Sequence, residues 1–295
     1  DVRGPAADAV RTFMKILIVG SKGMLGTDLV KEYAGRHSVH GLDLPDLDIA
    51  IPEQCRSAVE AGRPDIVVNA AALTDVDYCE SHREEAFRVN AAGAGNLAEA
   101  AAQAGAAFVH YSTDYVFDGQ RPEPYEEEHP PHPVSVYGMS KLKGEELVRS
   151  ASPAHLIVRT SWLFGPHGRN FIRTIVAAAR NGGPLRVVHD QRGSPTYTKD
   201  LASCTRMLCE RGCRGIYHVT NDGVCSWYDL ASSAVRWAGM EEVEVAPVTT
   251  AEFPRPAPRP ANSVLANARL RKEGLPTMRD WKAATKEYVE TCLAG

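Results

Sequence analysis

No stretch of the 295-residue chain is apolar over the ~18 residues that a membrane-spanning helix requires, so no span is predicted. Residues 1–13 also lack the continuous apolar segment of a secretory signal. A regular pattern begins only at Met14. We therefore expect residues 1–13 to be an N-terminal extension outside the fold, either disordered or introduced by cloning.

Strong net charge is also missing. The formal charge is −4 and the pI is about 6.2, which argues against a nucleic acid or an acidic membrane as partner. Composition is that of a globular protein, with 44% hydrophobic and 24% charged residues. We expect a cytoplasmic monomer or homodimer that acts on a small molecule.

The cysteines lack the spacing of a disulfide framework or a metal site. Their number, seven, is odd, and no Cys-x-x-Cys pair occurs. Reduced thiols in the cytoplasm are the simplest interpretation. Cys204 and Cys209 fall in a helical pattern, and we predict no metal.

A short apolar run over residues 15–19 predicts a buried parallel strand. It leads directly into glycines spaced Gly-x-x-Gly-x-x-Gly, followed by a helix to about Ala34. Such glycines permit a tight turn and a close approach of the backbone to a pyrophosphate, and the helix N-terminus attracts the phosphates. The glycine pattern alone is weak evidence, but its place between strand and helix predicts a dinucleotide site. The candidate residues are Gly20, Lys22, Gly23, Met24, Leu25 and Gly26.

The next strands add cofactor candidates. Asp43 ends the second predicted strand, residues 38–42, where a carboxylate accepts hydrogen bonds from a ribose and favours NADH. Lys22 favours NADPH instead, so the choice between NADPH and NADH stays open. The third strand, residues 65–69, runs into Ala70, Ala71 and Ala72, whose small side chains leave room for a ligand; a tight strand–helix corner is the alternative.

A fourth strand, residues 107–112, ends at Thr113, and a later helix carries Tyr137 and Lys141 four residues apart on one face. A nearby ammonium lowers the pKa of a tyrosine, and the phenol then donates a proton to a carbonyl oxygen as a hydride arrives. Thr113 would hydrogen-bond the same oxygen. Alone, Tyr-x-x-x-Lys is typical of an ordinary amphipathic helix, but the upstream nucleotide pattern favours the catalytic interpretation.

Strands and helices alternate as βαβαβαβαβ up to a fifth strand at residues 155–160. This order predicts an α/β fold, a doubly wound parallel Rossmann sheet, over residues 14–165. Looser elements over residues 166–295 predict a smaller α+β substrate-binding lobe with some segments returning to the first domain. The proline- and glutamate-rich residues 120–133 predict a surface loop over the active site.

The glycine spacing resembles that of the extended short-chain dehydrogenase/reductases. Within them, the chain resembles the dTDP-4-dehydrorhamnose reductases from Met14 to the C-terminal helix. Several sequence blocks, all in the family's order, carry this resemblance. They are residues 69–80, 112–119, 137–141, 159–165, 170–171, 190–198, 217–218 and 259–263.

The resemblance implies NAD(P)H-dependent reduction of the C4 ketone of dTDP-4-dehydro-6-deoxy-L-mannose to dTDP-L-rhamnose. By the same analogy Tyr137 is the proton donor, Lys141 binds the nicotinamide ribose, and Thr113 completes the triad. Asp48 and Ile49 would contact adenine, although Asp48 equally fits a helix cap. Asn90 would hold Lys141 through water; the alternative is an exposed asparagine without a functional role.

The resemblance also implies a substrate site for a dTDP-sugar. Arg259 is a sensible pyrophosphate clamp, because a guanidinium binds phosphate bidentately, although a solvated arginine is an equal alternative. Trp162 is placed in the site only because residues 159–165 as a whole match the family. An aromatic residue that follows a strand more often belongs to the core. The candidate residues are Thr74, Val76, Thr113, Asp114, Tyr115, Trp162, Asn170 and Arg259.

Some positions depart from the family. Leu73 stands where Tyr or His is usual, and Ala266 where Asp is common. Some members form magnesium-linked dimers, and Asp200 matches one acidic ligand without a full set, so no required metal is predicted. A reductase giving another product such as 6-deoxy-L-talose, or a non-catalytic NAD(P)-binding regulatory subunit, remains an alternative. A 4,6-dehydratase is disfavoured, because Asp-Tyr rather than Asp-Glu follows Thr113.

Overall fold

The computed structural model describes residues 13–293 of the chain. Apart from Phe13, the predicted N-terminal extension lies outside the described residues. From Lys15 onward, strands and helices follow one another in the predicted alternation. The apolar, β-branched runs form strands because they are buried, and the helices between them present apolar faces to the sheet.

The first half of the chain supplies five strands and six helices within the described residues. A π-helical turn, Arg88–Gly93, joins two of these helices, and a 3₁₀ turn, Asp114–Val116, follows the fourth strand. The elements are β1 Lys15–Val19, α1 Met24–Ala34, β2 Ser38–Leu42, α2 Pro52–Gly62, β3 Ile66–Asn69, α3 Val76–Ser81, α4 Arg83–Phe87, α5 Ala94–Gln103, β4 Ala107–Thr113, α6 Val136–Ala151 and β5 His155–Thr160.

Up to Leu293, where the described residues end, the second half contains shorter strands and five more helices. A capping box opens α9, with Ser226 and Asp229 exchanging hydrogen bonds. The elements are β6 Leu163–Phe164, α7 Phe171–Arg180, β7 Leu185–Val188, β8 Arg192–Gly193, β9 Thr196–Tyr197, α8 Thr198–Glu210, β10 Gly215–His218, β11 Cys225–Ser226, α9 Trp227–Trp237, β12 Val245–Val248, α10 Ala268–Lys272 and α11 Trp281–Cys292.

The main sheet has six parallel strands in the order β10-β5-β4-β3-β1-β2. The predicted doubly wound parallel sheet is thereby confirmed. The direction of winding reverses at β1, whose neighbours are β2 and β3. In open sheets of this kind ligands bind outside the carboxyl ends of the strands, at the point of reversal. The glycine loop after β1 and residues 70–72 after β3 both lie there.

Apolar side chains pack on both faces of this sheet, and a third cluster lies in the second half of the chain. Helix α8 packs against α1, and α10 packs against β10. Segments beyond residue 165 therefore complete the main sheet and cover one of its faces. Small sheets pair β8 with β11, β7 with β12 and β6 with β9. The division at residue 165 stays a prediction.

One predicted helix is wrong in its limits. Residues 80–104 are expected to form a single helix, but α3 already begins at Val76, with Asp75 accepting from the Tyr78 N–H. The helical run breaks at His82 and passes through the π-helical turn before α5. Asn90 lies in that turn and binds the backbone of Leu73, so tertiary contacts decide the irregularity.

Between Phe13 and Leu293, none of the helices is long and apolar enough to cross a membrane. Nor does any cluster of three or more His, Cys, Asp or Glu side chains in this range have the arrangement of a metal site. All seven cysteines are free thiols. Asp200, which matches a magnesium ligand by resemblance, instead binds Arg279 at 2.8 Å and Asn221 at 2.8 Å.

Candidate active site

The three predicted catalytic residues lie together at the carboxyl edge of the sheet. Thr113 is the last residue of β4, and Tyr137 and Lys141 lie on the buried face of α6. The Thr113 side chain lies close enough to the Tyr137 hydroxyl to lower its pKa, so the two side chains share one site. All three residues are less than one-tenth exposed. A carbonyl group that reached Tyr137 would therefore also meet the Thr113 hydroxyl.

Helix α6 approaches the 3₁₀ turn after β4 closely because its first turn carries a glycine. A Cβ at Gly138 would lie 2.2 Å from the carbonyl oxygen of Tyr115. The helix start is fixed by two further contacts: Ser135 accepts from the Gly138 N–H at 3.1 Å, and Glu80 accepts from the Val136 N–H at 2.8 Å. These contacts set the position of Tyr137 before any ligand is considered.

Burial dominates the acid–base behaviour of the site. It raises the pKa of Tyr137, and the nearby Thr113 hydroxyl opposes this rise. The predicted lowering of this pKa by Lys141 is not seen here. The ammonium nitrogen donates instead to the carbonyl oxygen of Tyr111, 2.7 Å away. Burial lowers the pKa of Lys141 to about 8, and the carboxylate of Glu145 opposes that change.

Two polar residues near Lys141 escaped the sequence reasoning. His110, fully buried on β4, has its Nε2 3.5 Å from the Lys141 Nζ, and its Nδ1 lies 3.3 Å from the Asn69 amide nitrogen. Asn69 Oδ1 accepts from the Ala71 N–H at 3.1 Å. A polar chain thus links the backbone after β3 to Lys141. Burial and the ammonium of Lys141 hold the pKa of His110 well below its usual value, so this imidazole is neutral.

Several predicted substrate residues surround Tyr137. Val76 and Tyr115 pack in the same apolar cluster as Tyr137, and the Tyr115 ring meets the Tyr137 ring edge-on at 5.7 Å. Asp114 accepts from the Thr113 hydroxyl through Oδ1, while its buried Oδ2 has no hydrogen-bond partner within residues 13–293. Burial raises the pKa of Asp114 to about 6. Such a carboxyl suits a sugar hydroxyl.

The glycine loop fits a dinucleotide pyrophosphate. Gly20 has φ +80°, and a Cβ there would lie 2.6 Å from the Ala71 nitrogen; a Cβ at Gly26 would lie 1.9 Å from the Gly20 carbonyl oxygen. The loop and the strand end therefore touch through their backbones. Helix α1 starts at Met24 with no side-chain cap and no acidic residue in its first turn, which leaves its N–H groups for an anion.

The other predicted cofactor residues flank this loop. The Asp43 carboxylate accepts from the Lys22 N–H at 2.8 Å, while the Lys22 ammonium is exposed and 3.9 Å from Asp46. Asp48 accepts from the Ala50 N–H at 2.9 Å in a local turn, but it does not cap α2, whose N-cap is Ile51 with no side-chain hydrogen bond; the helix-cap alternative is therefore wrong. Leu25 and Ile49 are buried, and the Ile49 side chain touches Gly93.

Asn90 is not exposed, and its direct contacts differ from the expected one. Its amide donates to the Leu73 carbonyl at 2.9 Å and to the Ser140 hydroxyl at 3.0 Å, while its oxygen accepts from the Leu73 N–H. Ser140 directly precedes Lys141 on α6. Asn90 therefore joins the loop after β3 to the helix of the catalytic lysine, and its predicted water-mediated bond to Lys141 stays a prediction.

Three remaining substrate candidates already have partners in the protein. Asn170 caps α7 and its amide donates to Gly165 and Tyr288. Arg259 forms two hydrogen bonds with Asp77, at 3.0 and 3.1 Å. Trp162 stacks on Trp227. A fourth candidate, Thr74, is exposed. Their contacts with a substrate stay predictions.

The predicted loop over the active site is anchored elsewhere in part. Tyr125 and Glu127 are buried, so residues 120–133 are not a simple surface loop. Glu127 accepts from the His218 N–H at 3.0 Å and from the Arg269 N–H at 3.2 Å. The loop is thus bound to β10. The proline-rich, polar sequence of the segment did not predict this anchoring.

A buried ion pair behind α6 also escaped the sequence reasoning. Arg159 on β5 donates to Glu145 from Nε at 2.9 Å and from Nη2 at 2.7 Å, and both side chains are 3% exposed. Its guanidinium also lies over the Phe117 ring. Glu145 lies one turn beyond Lys141 on the same helix, and its carboxylate opposes the lowering of the Lys141 pKa by burial.

Comparison with known proteins agrees with this geometry. A family profile described as the RmlD substrate binding domain matches residues 14–294. A dTDP-4-dehydrorhamnose reductase of Aggregatibacter actinomycetemcomitans is 40% identical over 285 residues, 92% of this chain and 97% of that protein. The chain belongs to the dTDP-4-dehydrorhamnose reductase family of oxidoreductases. The resemblance inferred from the sequence blocks is confirmed.

Two further similar proteins extend the comparison. A Streptomyces antibioticus protein called a probable dTDP-4,6-dihydroxy-2-methyloxan-3-one 4-ketoreductase is 43% identical, covering 96% of this chain and 97% of that protein. A crystal structure of the dTDP-4-dehydrorhamnose reductase of Bacillus anthracis in complex with NADP has a TM-score of 0.92 and 39% identity, over 94% of this chain and 99% of that chain. Family membership thus extends over both halves of the fold.

Proposed function

We propose that the chain reduces the C4 ketone of dTDP-4-dehydro-6-deoxy-L-mannose to dTDP-L-rhamnose, with NADPH or NADH as cofactor. The proposal rests on one arrangement: Thr113, Tyr137 and Lys141 meet beside the glycine loop at the carboxyl edge of the sheet. Cytoplasmic location belongs to the proposal, because the seven thiols are all free.

The cofactor, when bound at the glycine loop, supplies a hydride for the ketone carbon. Tyr137 donates a proton from its hydroxyl to the ketone oxygen, which becomes the C4 hydroxyl. Thr113 orients that oxygen through its own hydroxyl. Lys141, as an ammonium, holds ribose hydroxyl groups of the cofactor.

The substrate would lie against the residues around Tyr137. We assign the sugar to Thr74, Val76, Asp114, Tyr115 and Trp162. A further assignment places the diphosphate near Arg259, whose guanidinium must then be shared with Asp77. The Streptomyces relative named as a different 4-ketoreductase supports a second candidate, the reduction of a related dTDP-4-keto-6-deoxyhexose, giving for example 6-deoxy-L-talose.

Turnover with the sugar tests the proposal. The substrate is made from dTDP-4-keto-6-deoxyglucose with a 3,5-epimerase, and NADPH and NADH are supplied separately. We expect loss of nicotinamide absorbance matched by dTDP-L-rhamnose, identified by NMR. Formation of another 4-epimer would move the chain to the second candidate. Folded protein that binds dinucleotide but turns over neither sugar would instead favour a regulatory subunit.

The pH profile gives a separate prediction for Lys141. Because burial lowers its pKa to about 8, the ammonium loses its proton above that pH. We expect kcat/KM for the dinucleotide to fall about tenfold per pH unit on the alkaline side. Lys141→Arg, although less active, should lack this limb, because a guanidinium stays protonated. A limb that persists in the Arg variant would belong to another group.

A further inference from the structure

Trp162 has a backbone conformation that bulky residues rarely adopt. Its φ is +48°, and within residues 13–293 only Arg63 and Asn267 share a positive φ among non-glycine residues. Arg63 ends α2, where a left-handed residue is common, and Asn267 is an asparagine, which tolerates this conformation. Trp162 lies instead between β5 and β6. The left-handed region strains L-residues, so surrounding contacts must stabilise it.

Trp227 provides the main contact. The two indoles are stacked, with ring centroids 3.6 Å apart and planes inclined by 8°. Phe171 lies behind Trp227, with its ring centroid 4.6 Å away. The capping box of Ser226 and Asp229 fixes the turn in which Trp227 begins α9. Trp227 is thus itself held firmly before it meets Trp162.

Gly193 provides a second contact. A Cβ at this position would lie 2.3 Å from the Cε2 atom of Trp162, so only glycine leaves room for the indole. Strand β8 carries Gly193 and pairs with β11, where Cys225 lies opposite Gly193. Trp227 follows two residues after Cys225. This small sheet therefore brings the glycine and the second tryptophan to the same indole.

We propose that Trp227 is a positioning residue, which holds Trp162 in its left-handed conformation so that the indole faces the sugar of the substrate. The inference rests on the proposed function, in which Trp162 contacts that sugar. Trp162 and Trp227 are each half-buried, as expected for a pair that borders a ligand site. Trp227 acts only through Trp162 and touches no reacting atom.

Trp227→Leu tests this role, with Trp237→Leu as matched control. Trp237 ends the same helix and packs on the same apolar cluster, but its ring meets Trp281. We expect Trp227→Leu to raise KM for the dTDP-sugar roughly tenfold to a hundredfold, as misplacement of a substrate contact does, and to leave dinucleotide affinity unchanged. Trp227→Phe, which keeps a flat ring, should retain most of the substrate affinity.

Circular dichroism reports the stack directly. Two stacked indoles give an exciton couplet, which Trp162→Leu and Trp227→Leu should each abolish and Trp237→Leu should keep. The double variant of Trp162 and Trp227 should have the KM of Trp162→Leu alone, because the second residue acts through the first. If Trp227→Leu does not fold, Gly193→Ala tests the positioning of Trp162 instead. The added Cβ displaces the Trp162 indole and should raise KM for the dTDP-sugar by a similar factor.

The outcomes separate this inference from the proposed function. Wild-type protein that does not reduce the sugar contradicts the function itself. Turnover by the wild type, with equal KM in Trp227→Leu and Trp237→Leu, contradicts only the positioning role. Additive effects of the Trp162 and Trp227 substitutions on KM would also contradict it, because Trp227 would then contribute independently.

Discussion

Tyr137→Phe should lower kcat for ketone reduction about 10²- to 10⁴-fold, the range expected when a positioned proton donor is removed. The ring is buried and would keep its edge-on contact with Tyr115. Folding and dinucleotide affinity should therefore remain unchanged. Steady-state rates measure the loss, and fluorescence titration with the dinucleotide checks the intact cofactor site.

Tyr217→Phe is the matched control for that experiment. Tyr217 is also buried, but its hydroxyl donates to Glu273 at the end of α10. Both substitutions remove one phenolic hydroxyl from the interior, so a general packing defect would affect them alike. Nearly normal turnover in Tyr137→Phe would contradict the assignment of Tyr137 as proton donor. Another group would then have to donate the proton, and the buried Asp114 would be the first candidate.

Glu145→Gln should destabilise the fold by about 3–5 kcal/mol, because it leaves the guanidinium of Arg159 buried without its carboxylate. Glu146→Gln is the matched control on the neighbouring residue. Glu146 pairs with Lys143 on the surface, where both side chains are about half exposed, and its loss should cost about 0–1 kcal/mol. Urea denaturation of the two variants gives the comparison.

A combined variant separates an unpaired charge from lost packing. Glu145→Met together with Arg159→Leu removes both charges, and we expect it to be more stable than Glu145→Gln. Equal stability of Glu145→Gln and Glu146→Gln would contradict the importance of the buried pair. A double variant as unstable as Glu145→Gln would show that shape, rather than an unpaired charge, matters at this position.

The glycine loop and the Tyr137/Lys141 helix could be predicted because their chemistry requires fixed local spacing. A tight turn needs glycine at Gly20, and two groups acting together on a helix need a four-residue separation. The six-stranded sheet followed from alternating strands and helices. Local periodicity and spacing thus predicted most of the fold, together with the glycine loop and the helix of Tyr137 and Lys141.

The remaining contacts join residues that are distant in the sequence. Glu145 and Arg159, or Asn69 and His110, read as ordinary members of a helix and of buried strands until folding brings them together. The break around Asn90 likewise depends on close packing of α6, because a Cβ at Gly144 would lie 2.3 Å from its carbonyl oxygen. No local pattern carries such information.

Asp77 and Arg259 are 182 residues apart, and their ion pair connects α3 to the proline-rich segment of the second half. The Asp77 side chain is 24% exposed, and Arg255 also lies 3.5 Å from it. Salt screens a partly exposed pair of this kind, although less than a fully exposed one. At the proposed diphosphate site, ionic strength therefore acts on the Arg259–Asp77 pair as well as on the anionic ligand. Raising it loosens the rival carboxylate while it weakens the ligand's own attraction. The salt dependence of binding should be shallower than the ligand's charge alone would give.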